Sequence, residues 1–431
     1  MKKISIKKEI FPFKGNVYDL PYFDGEYFNV LRDKDKNILI DNINFKTRNI
    51  TRYSYAPLSI SQSKLSDLYN PNNKFNITGD ILSNDLNRIP HTCHSIPSCR
   101  YLFVTNAYSL MRIDTVEKNV LTLPCDFDKN PMLYSKSNCF SSDYQYLYFV
   151  RWPMKDMIEI RNGKMQLANC EICSLNTNTL EIKILHRFLF PEEVHQISIS
   201  INNRYLVITS FVIYFPQCND TDITIEMRNY IREGLKQSKV ATYDLQKNKI
   251  WITQLPIPAP GHFELDPIDS SLIYLSAHNL FVLPRIGVIG AGYASIIKLK
   301  IENMQTKIIG EYSDKDCLRT TQHRVFIYKG QKILVFTTTP YKFTLLNLDS
   351  MQVWRKVRIA PDPKPRPTKE GYFVFAQQFP LSIEVSEDCK YIIAASQNCF
   401  YIYSIEDDCV LDVILYLPNG RGVGHTFPVG R

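Results

Sequence analysis

The chain has 431 residues, 45% of them hydrophobic and 22% charged, as in globular proteins with a large core. Its net charge is +8, but no basic run is interleaved with aromatic residues, which argues against nucleic-acid binding. No segment approaches the roughly 18 apolar residues of a membrane span, and the first residues lack the apolar core of a signal peptide. Eleven irregularly spaced cysteines favour reduced thiols and predict a cytoplasmic location.

Seven segments along the chain share one pattern, in which a polar turn leads into an apolar strand. The openers of these strands are Tyr27, Tyr101, Tyr146, Tyr205, Leu272, Ile333 and Tyr391. Each segment is followed by a second alternating hairpin with a short polar turn, such as "VATYDLQKNKIWITQL". Two hairpins make four strands, so the sequence predicts an all-β fold, a seven-bladed β-propeller of four-stranded blades.

We expect a single domain over residues 1–431. The predicted blades lie at about 14–56, 88–125, 133–187, 192–256, 259–313, 320–359 and 376–418, followed by a C-terminal tail at 419–431. The two turns inside each hairpin pair are short, whereas the other connections are often long and would gather on one face. Long loops on a rigid scaffold often form the working face. In the blade-four insertion, "DTDITIEMRNYIREGLKQ" predicts a short helix.

Histidine recurs at one place in the repeat. Counting back ten residues from the strand openers reaches a histidine in four of the seven units: His91, His195, His262 and His323. That place begins the innermost strand of a blade, and a shared register gives side chains a shared direction. Four imidazoles at the channel mouth would suit a divalent transition metal such as Fe or Zn, or Mn with added carboxylates. Alternatively, each ring hydrogen-bonds a neighbouring carbonyl group.

Two charged residues accompany these histidines. Glu264 follows His262 by two residues, so it could orient a ligand or act as a base, or it could be an exposed strand carboxylate. Arg324 directly follows His323. We predict Glu264 as a candidate catalytic residue beside the metal site.

The repeated units resemble those of the broad WD-repeat and YVTN-like propeller group over nearly the whole chain, although no unit ends in Trp-Asp. This resemblance implies the propeller fold and says little about the role.

The histidines are similar to those of two propeller enzyme families. Carotenoid-cleavage-type oxygenases hold iron with four histidines on inner strands, and one of their ligands lies near the C-terminus, where this chain has His425. Oligogalacturonate lyase-type enzymes have a pattern similar to the one that runs from His262 through Asp266 and Asp269 to His278. That resemblance implies a divalent metal, further ligands in "TTQHR" and an arginine base, which would be Arg324.

Two functions remain open from the sequence. The first is a metal-dependent lyase or oxygenase that acts on a small-molecule or oligosaccharide substrate. The alternative is a non-catalytic propeller that binds a protein or peptide partner on its long-loop face, with the histidines as polar lining. No serine or cysteine nucleophile signature is visible, which disfavours covalent hydrolysis.

Overall fold

The computed structural model describes most of the repeated units and leaves out several connections. The described ranges are 10–14, 17–23, 25–34, 37–55, 92–95, 100–106, 109–114, 116–117, 119–125, 131–161, 167–190, 194–210, 238–255, 260–277, 280–283, 287–290, 295–313, 323–337, 342–359, 366–367, 373–374, 382–395 and 399–417.

Within these ranges, six sheets have four antiparallel strands each, and we number the sheets in chain order. Sheets 1 to 3 are formed by the following strands: β2 (Val17–Phe23), β3 (Tyr27–Lys34), β4 (Asn37–Asn44) and β5 (Ile50–Tyr55) in sheet 1; β6 (Thr92–Ser95), β7 (Tyr101–Asn106), β8 (Ser109–Asp114) and β9 (Asn119–Pro124) in sheet 2; β10 (Met132–Phe140), β11 (Tyr146–Pro153), β12 (Ala168–Asn176) and β13 (Ile182–Phe190) in sheet 3.

Sheets 4 to 6 repeat this arrangement. Their strands are β14 (Val194–Ile199), β15 (Tyr205–Ser210), β16 (Ser238–Asp244) and β17 (Lys249–Leu255) in sheet 4; β18 (Pro260–Leu265), β19 (Leu272–Ala277), β22 (Ser295–Glu302) and β23 (Gln305–Ser313) in sheet 5; β24 (His323–Tyr328), β25 (Gln331–Thr337), β26 (Lys342–Asn347) and β27 (Gln352–Arg358) in sheet 6.

Sheet 7 has five strands. It contains β30 (Ser382–Val385), β31 (Tyr391–Ala395), β32 (Cys399–Ser404), β33 (Cys409–Leu417) and the N-terminal strand β1 (Ile10–Lys14), which lies parallel to β33. The remaining elements are two small ribbons and a short helix: β20 (Leu280–Leu283) with β21 (Gly287–Gly290), β28 (Arg366–Pro367) with β29 (Phe373–Val374), and α1 (Met154–Arg161).

The first strands of the sheets form a ring. Each of them contacts the first strand of the next sheet, in the order β2, β6, β10, β14, β18, β24 and β30, and β30 contacts β2. The predicted all-β, propeller-like fold is therefore confirmed. The sequence predicts seven four-stranded blades, whereas six sheets have four strands and sheet 7 carries a fifth. The helix predicted in blade four lies outside the described residues.

Helical structure is nearly absent from the described part of the chain, where α1, between β11 and β12, is the one helix. No helix in these ranges has the length and apolar character needed to cross a membrane.

The core lies between neighbouring sheets. One apolar cluster extends across sheets 2, 3 and 4, from Phe103 through Phe149 to Tyr243. Further clusters join sheet 4 to sheet 5, sheet 5 to sheet 6, and sheet 6 to sheet 7. The alternating strands supply this packing because their side chains point to both faces of a sheet, and in sheets 3 to 6 both faces are covered by a neighbour.

The polar turns that lead into the second strands of sheets 4 and 7 share one geometry. In sheet 4, the Ser200 hydroxyl accepts hydrogen bonds from the N–H groups of Arg204 and Tyr205, at 3.2 and 2.9 Å. Ser386 does the same in sheet 7 for Lys390 and Tyr391. A serine side chain therefore satisfies backbone donors at these turns, which explains why a polar turn precedes an aromatic opener in the repeat.

Candidate functional site

Three charged residues hold one register on the innermost strands of consecutive sheets. Each pairs with the residue two places after the strand opener of its sheet, in the pairs Glu264–Tyr274, Arg324–Val335 and Glu384–Ile393. Because the register is shared, the three side chains stand at the same height in the ring.

The guanidinium group of Arg324 joins these three sheets. Its Nε donates to Oε2 of Glu384 at 2.9 Å, and its Nη1 donates to Oε1 of Glu264 at 3.2 Å. The same Nη1 donates to the His323 carbonyl at 3.0 Å. We call Glu264, Arg324 and Glu384 the inner charged cluster.

Glu264 has an unusual protonation equilibrium. Burial raises its pKa to about 7; the carboxylate of Glu384 also raises it, while Arg324 acts in the opposite direction. One guanidinium faces two carboxylates, and it does not fully offset the cost of desolvating Glu264. A carboxyl group with a pKa near neutrality can accept or donate a proton at physiological pH.

This raised pKa predicts a pH-dependent stability. The folded chain binds the Glu264 proton more tightly than the unfolded chain, where the pKa is 4.5. The stabilisation by neutral Glu264 is therefore present below about pH 4.5 and is lost as the pH rises through about 7. Glutamine does not titrate. The free energy of unfolding of Glu264→Gln should therefore rise by roughly 2 kcal/mol relative to that of the unsubstituted chain when the pH is raised from about 5 to about 8.5. Urea unfolding of both proteins at both pH values measures this change. A difference in unfolding free energy between them that is the same at the two pH values would contradict the prediction.

His323 is a core residue in this structure. Its side chain is fully buried, and its Nε2 donates to the carbonyl of Tyr274 in sheet 5 at 3.1 Å. The Nε2 atom therefore has a hydrogen-bond partner within the protein. This agrees with the alternative prediction, in which a histidine ring hydrogen-bonds a neighbouring carbonyl group.

Counting back ten residues from the strand opener does not reach equivalent positions in sheets 5 and 6. The prediction that His262 and His323 share one register is therefore wrong. His323 pairs with the third residue after the opener of sheet 6, and in sheet 5 that position belongs to Phe263. The cause is the connection between the first two strands. It is two residues long in sheet 6 (329–330) and six residues long in sheet 5 (266–271). A fixed count therefore lands at different registers.

The other predicted ligands are only partly described. His262 is half-buried, and its carbonyl accepts a hydrogen bond from the Ser276 hydroxyl at 2.9 Å. His195 occupies an irregularity of β14, between Val194 and Gln196. The His195 side chain and the whole of His91, His278, Gln322 and His425 lie outside the described residues. Among the side chains that are described, no group of three or more His, Cys, Asp or Glu is arranged to hold a metal ion. The four-histidine metal site stays a prediction.

Gln196, which the sequence did not suggest, joins sheets 4 and 5. Its Nε2 donates to the carbonyl of Phe263 at 2.7 Å, and its Oε1 accepts from the N–H of Phe263 at 2.9 Å. The side chain therefore satisfies both backbone groups of Phe263. Buried backbone groups need such partners.

Asp266 belongs to the segment that resembles the lyase pattern, and here it has a structural role. Its fully buried carboxylate accepts from the hydroxyl of Tyr274 at 2.7 Å and the ammonium of Lys332 at 2.9 Å. It also accepts from the N–H groups of Ile268 and Asp269, both at 2.9 Å. Burial alone would raise the pKa of Asp266, but these hydrogen bonds hold it below its usual value. Asp266 caps a turn and pairs sheet 5 with sheet 6.

The cysteines of "NCEIC" are packed inside β12. Cys170 and Cys173 are both buried, and desolvation raises the pKa of each thiol to about 12. Thiols of this kind remain protonated and inert at neutral pH.

No protein-family model and no curated protein matches the chain, so no such match supports the WD-repeat or enzyme resemblances. Among solved structures, 1180 chains are similar, which shows that the fold is widely shared. One of them is hydrazine synthase from Kuenenia stuttgartiensis, with 12% identity and a TM-score of 0.51. The match covers 96% of this chain and 98% of that chain. At this identity the likeness supports the propeller arrangement and carries no information about chemistry.

Proposed function

We propose that the chain is a non-catalytic β-propeller that presents its long-loop face to a protein or peptide partner. In this proposal sheet 7 is the seventh blade, and β1 is an addition to it. The long connections at 56–91, 211–237 and 359–381 would supply the contact surface, because loops on a rigid scaffold are free to vary in shape.

The inner charged cluster is the observation that carries this proposal. A catalytic arginine or carboxylate must be able to reach a substrate, but here the Arg324 guanidinium is held by carboxylates of two neighbouring sheets. His323 and Asp266 likewise use their polar atoms for contacts between sheets. These residues therefore hold neighbouring sheets together, and this leaves the connecting loops as the surface available to a partner.

A metal-dependent lyase or oxygenase is the second candidate. The raised pKa of Glu264 favours it, because a general base works best when its pKa lies near the operating pH. In that case His91, His195 and His262 would bind the metal, with Glu264 as the base and Arg324 orienting it.

Metal analysis separates the two candidates. The protein is incubated with excess Fe²⁺, Mn²⁺ or Zn²⁺, free metal is removed, and bound metal is measured by mass spectrometry. We expect far less than one equivalent, unchanged in His262→Ala. His186→Ala is the matched control, because His186 lies on the outer strand β13 against the ring of Tyr243. One equivalent that is retained in His186→Ala and lost in His262→Ala would overturn the binding-platform proposal in favour of the enzyme.

A further inference from the structure

The outer strand of each sheet has one edge at which backbone groups can pair with a further strand. Charged residues, bulges or a covering strand prevent such pairing in many proteins. In the described part of the chain, the outer strands of sheets 1 to 6 are β5, β9, β13, β17, β23 and β27, and β33 of sheet 7 is covered by β1.

Every one of these outer strands except β9 has at least one such protection. Strands β13, β23 and β27 each have a bulge in their pairing with the third strand of their sheet. Strands β5 and β17 pair regularly, but β5 has Arg52 near its middle and β17 begins with Lys249.

Strand β9 has neither a charged residue nor a bulge. Its sequence is NVLTLP, and it pairs with β8 without a break, from Asn119 opposite Asp114 to Pro124 opposite Ser109. Because Pro124 is the last residue, the rest of the strand keeps its N–H groups. Leu121, in the middle of the strand, is 45% exposed. Strand β9 is therefore a regular, uncharged edge with an exposed leucine at its centre.

The arginine nearest to Leu121 does not add a charge to this edge. Arg112 on β8 is the registered partner of Leu121. Its Nη1 donates to the carbonyls of Thr177 and Asn178 in sheet 3, at 2.9 and 2.7 Å. The guanidinium also lies over the ring of Tyr101, 4.8 Å from its centroid. These contacts hold the charge of Arg112 against sheet 3.

The lack of charge identifies a second copy of this chain as the partner that fits the edge. When two copies of a strand pair antiparallel about a two-fold axis, a residue at the axis lies opposite its own copy. A charge there would meet the same charge, which destabilises the pair. Arg52 near the middle of β5 would meet this repulsion, whereas β9 would place Leu121 against Leu121.

We propose that β9 is a dimerisation edge, at which two copies of this chain pair antiparallel with Leu121 opposite Leu121, so that their sheets 2 form one continuous sheet. This edge is separate from the long-loop face, and the inference does not depend on the proposed function.

The first experiment measures self-association of the full chain by sedimentation equilibrium. We expect dimers of the unsubstituted chain, and we expect Leu121→Lys to raise the dissociation constant at least about tenfold, because it places two like charges opposite each other. Ile252→Lys is the matched control, since Ile252 is 41% exposed on the outer strand β17, and it should leave the constant unchanged. A chain that is monomeric at every concentration tested, or equal weakening by both substitutions, would overturn the proposal.

The second experiment keeps the strand uncharged and remains informative if Leu121→Lys fails to fold. Residues directly opposite in an antiparallel pair have Cα atoms about 4.5–5.5 Å apart, which a disulfide spans. Under mild oxidation, Leu121→Cys should therefore give a covalent dimer on a non-reducing gel, and Ile252→Cys should give no more than the unsubstituted chain. Absence of the Leu121→Cys dimer, or equal crosslinking of both variants, would contradict pairing through β9.

Discussion

Asp266→Ala is expected to lower the free energy of unfolding by about 3 kcal/mol. The substitution leaves the Tyr274 hydroxyl without its acceptor and removes one of the two carboxylates that hold the Lys332 ammonium. It also removes the acceptor of two turn N–H groups. Urea unfolding at neutral pH measures this loss.

Two further variants serve as controls for Asp266. Asp266→Asn keeps an oxygen for the turn but loses the charge, so its effect should be intermediate. Asp269 is an exposed aspartate of the same turn, and its carboxylate accepts hydrogen bonds from the N–H and the hydroxyl of Ser271. Asp269→Ala should lower the free energy of unfolding by less than about 1 kcal/mol. Similar losses of unfolding free energy in Asp266→Ala and Asp269→Ala would show that Asp266 does not hold sheets 5 and 6 together.

Arg324→Ala is expected to destabilise the fold by about 2–4 kcal/mol, since it leaves two carboxylates facing each other without their shared cation. The side chains of Glu264, Arg324 and Glu384 are 24%, 27% and 17% exposed, so solvent compensates only in part. Adding Glu264→Gln to Arg324→Ala should restore part of the lost free energy of unfolding, because it removes one of the two negative charges that face each other.

An arginine on the outer surface provides the matched control. Arg187 donates to Glu171 at 2.9 Å, close to the geometry of the Arg324 pairs, but its side chain is 72% exposed. Arg187→Ala should therefore cost about 0.5 kcal/mol or less. If Arg187→Ala and Arg324→Ala cost the same, the inner charged cluster would be no more important than a surface ion pair.

The repeat and its strand openers were predictable from sequence. Six of the seven openers begin the second strand of their sheet, and in sheet 6 the strand begins at Gln331, two residues before Ile333. Period-2 alternation and serine-based turns are local signals, so they survive without knowledge of the packing. The fifth strand of sheet 7 was not predictable, because pairing of β1 with β33 joins the two ends of the described chain.

The candidate site was predictable only in part. Glu264 was identified by its spacing from a histidine and Arg324 by the resemblance to the lyase-type enzymes. The histidine count itself assumed equal connections between strands, and these differ in length. Glu384 was missed, although "SIEV" places a charge inside a short apolar strand. Charged residues within the first strand of three consecutive units were the available signal, since an interior charge needs a partner.

A double-mutant cycle between Arg324 and Glu384 tests most directly whether the inner charged residues fasten neighbouring sheets. Unfolding free energies are measured for the unsubstituted chain, Arg324→Ala, Glu384→Gln and the double variant. We predict a favourable coupling of about 1–2 kcal/mol between the two residues. Effects that add to within about 0.3 kcal/mol would contradict the account, because they would mean that the guanidinium and the carboxylate act independently.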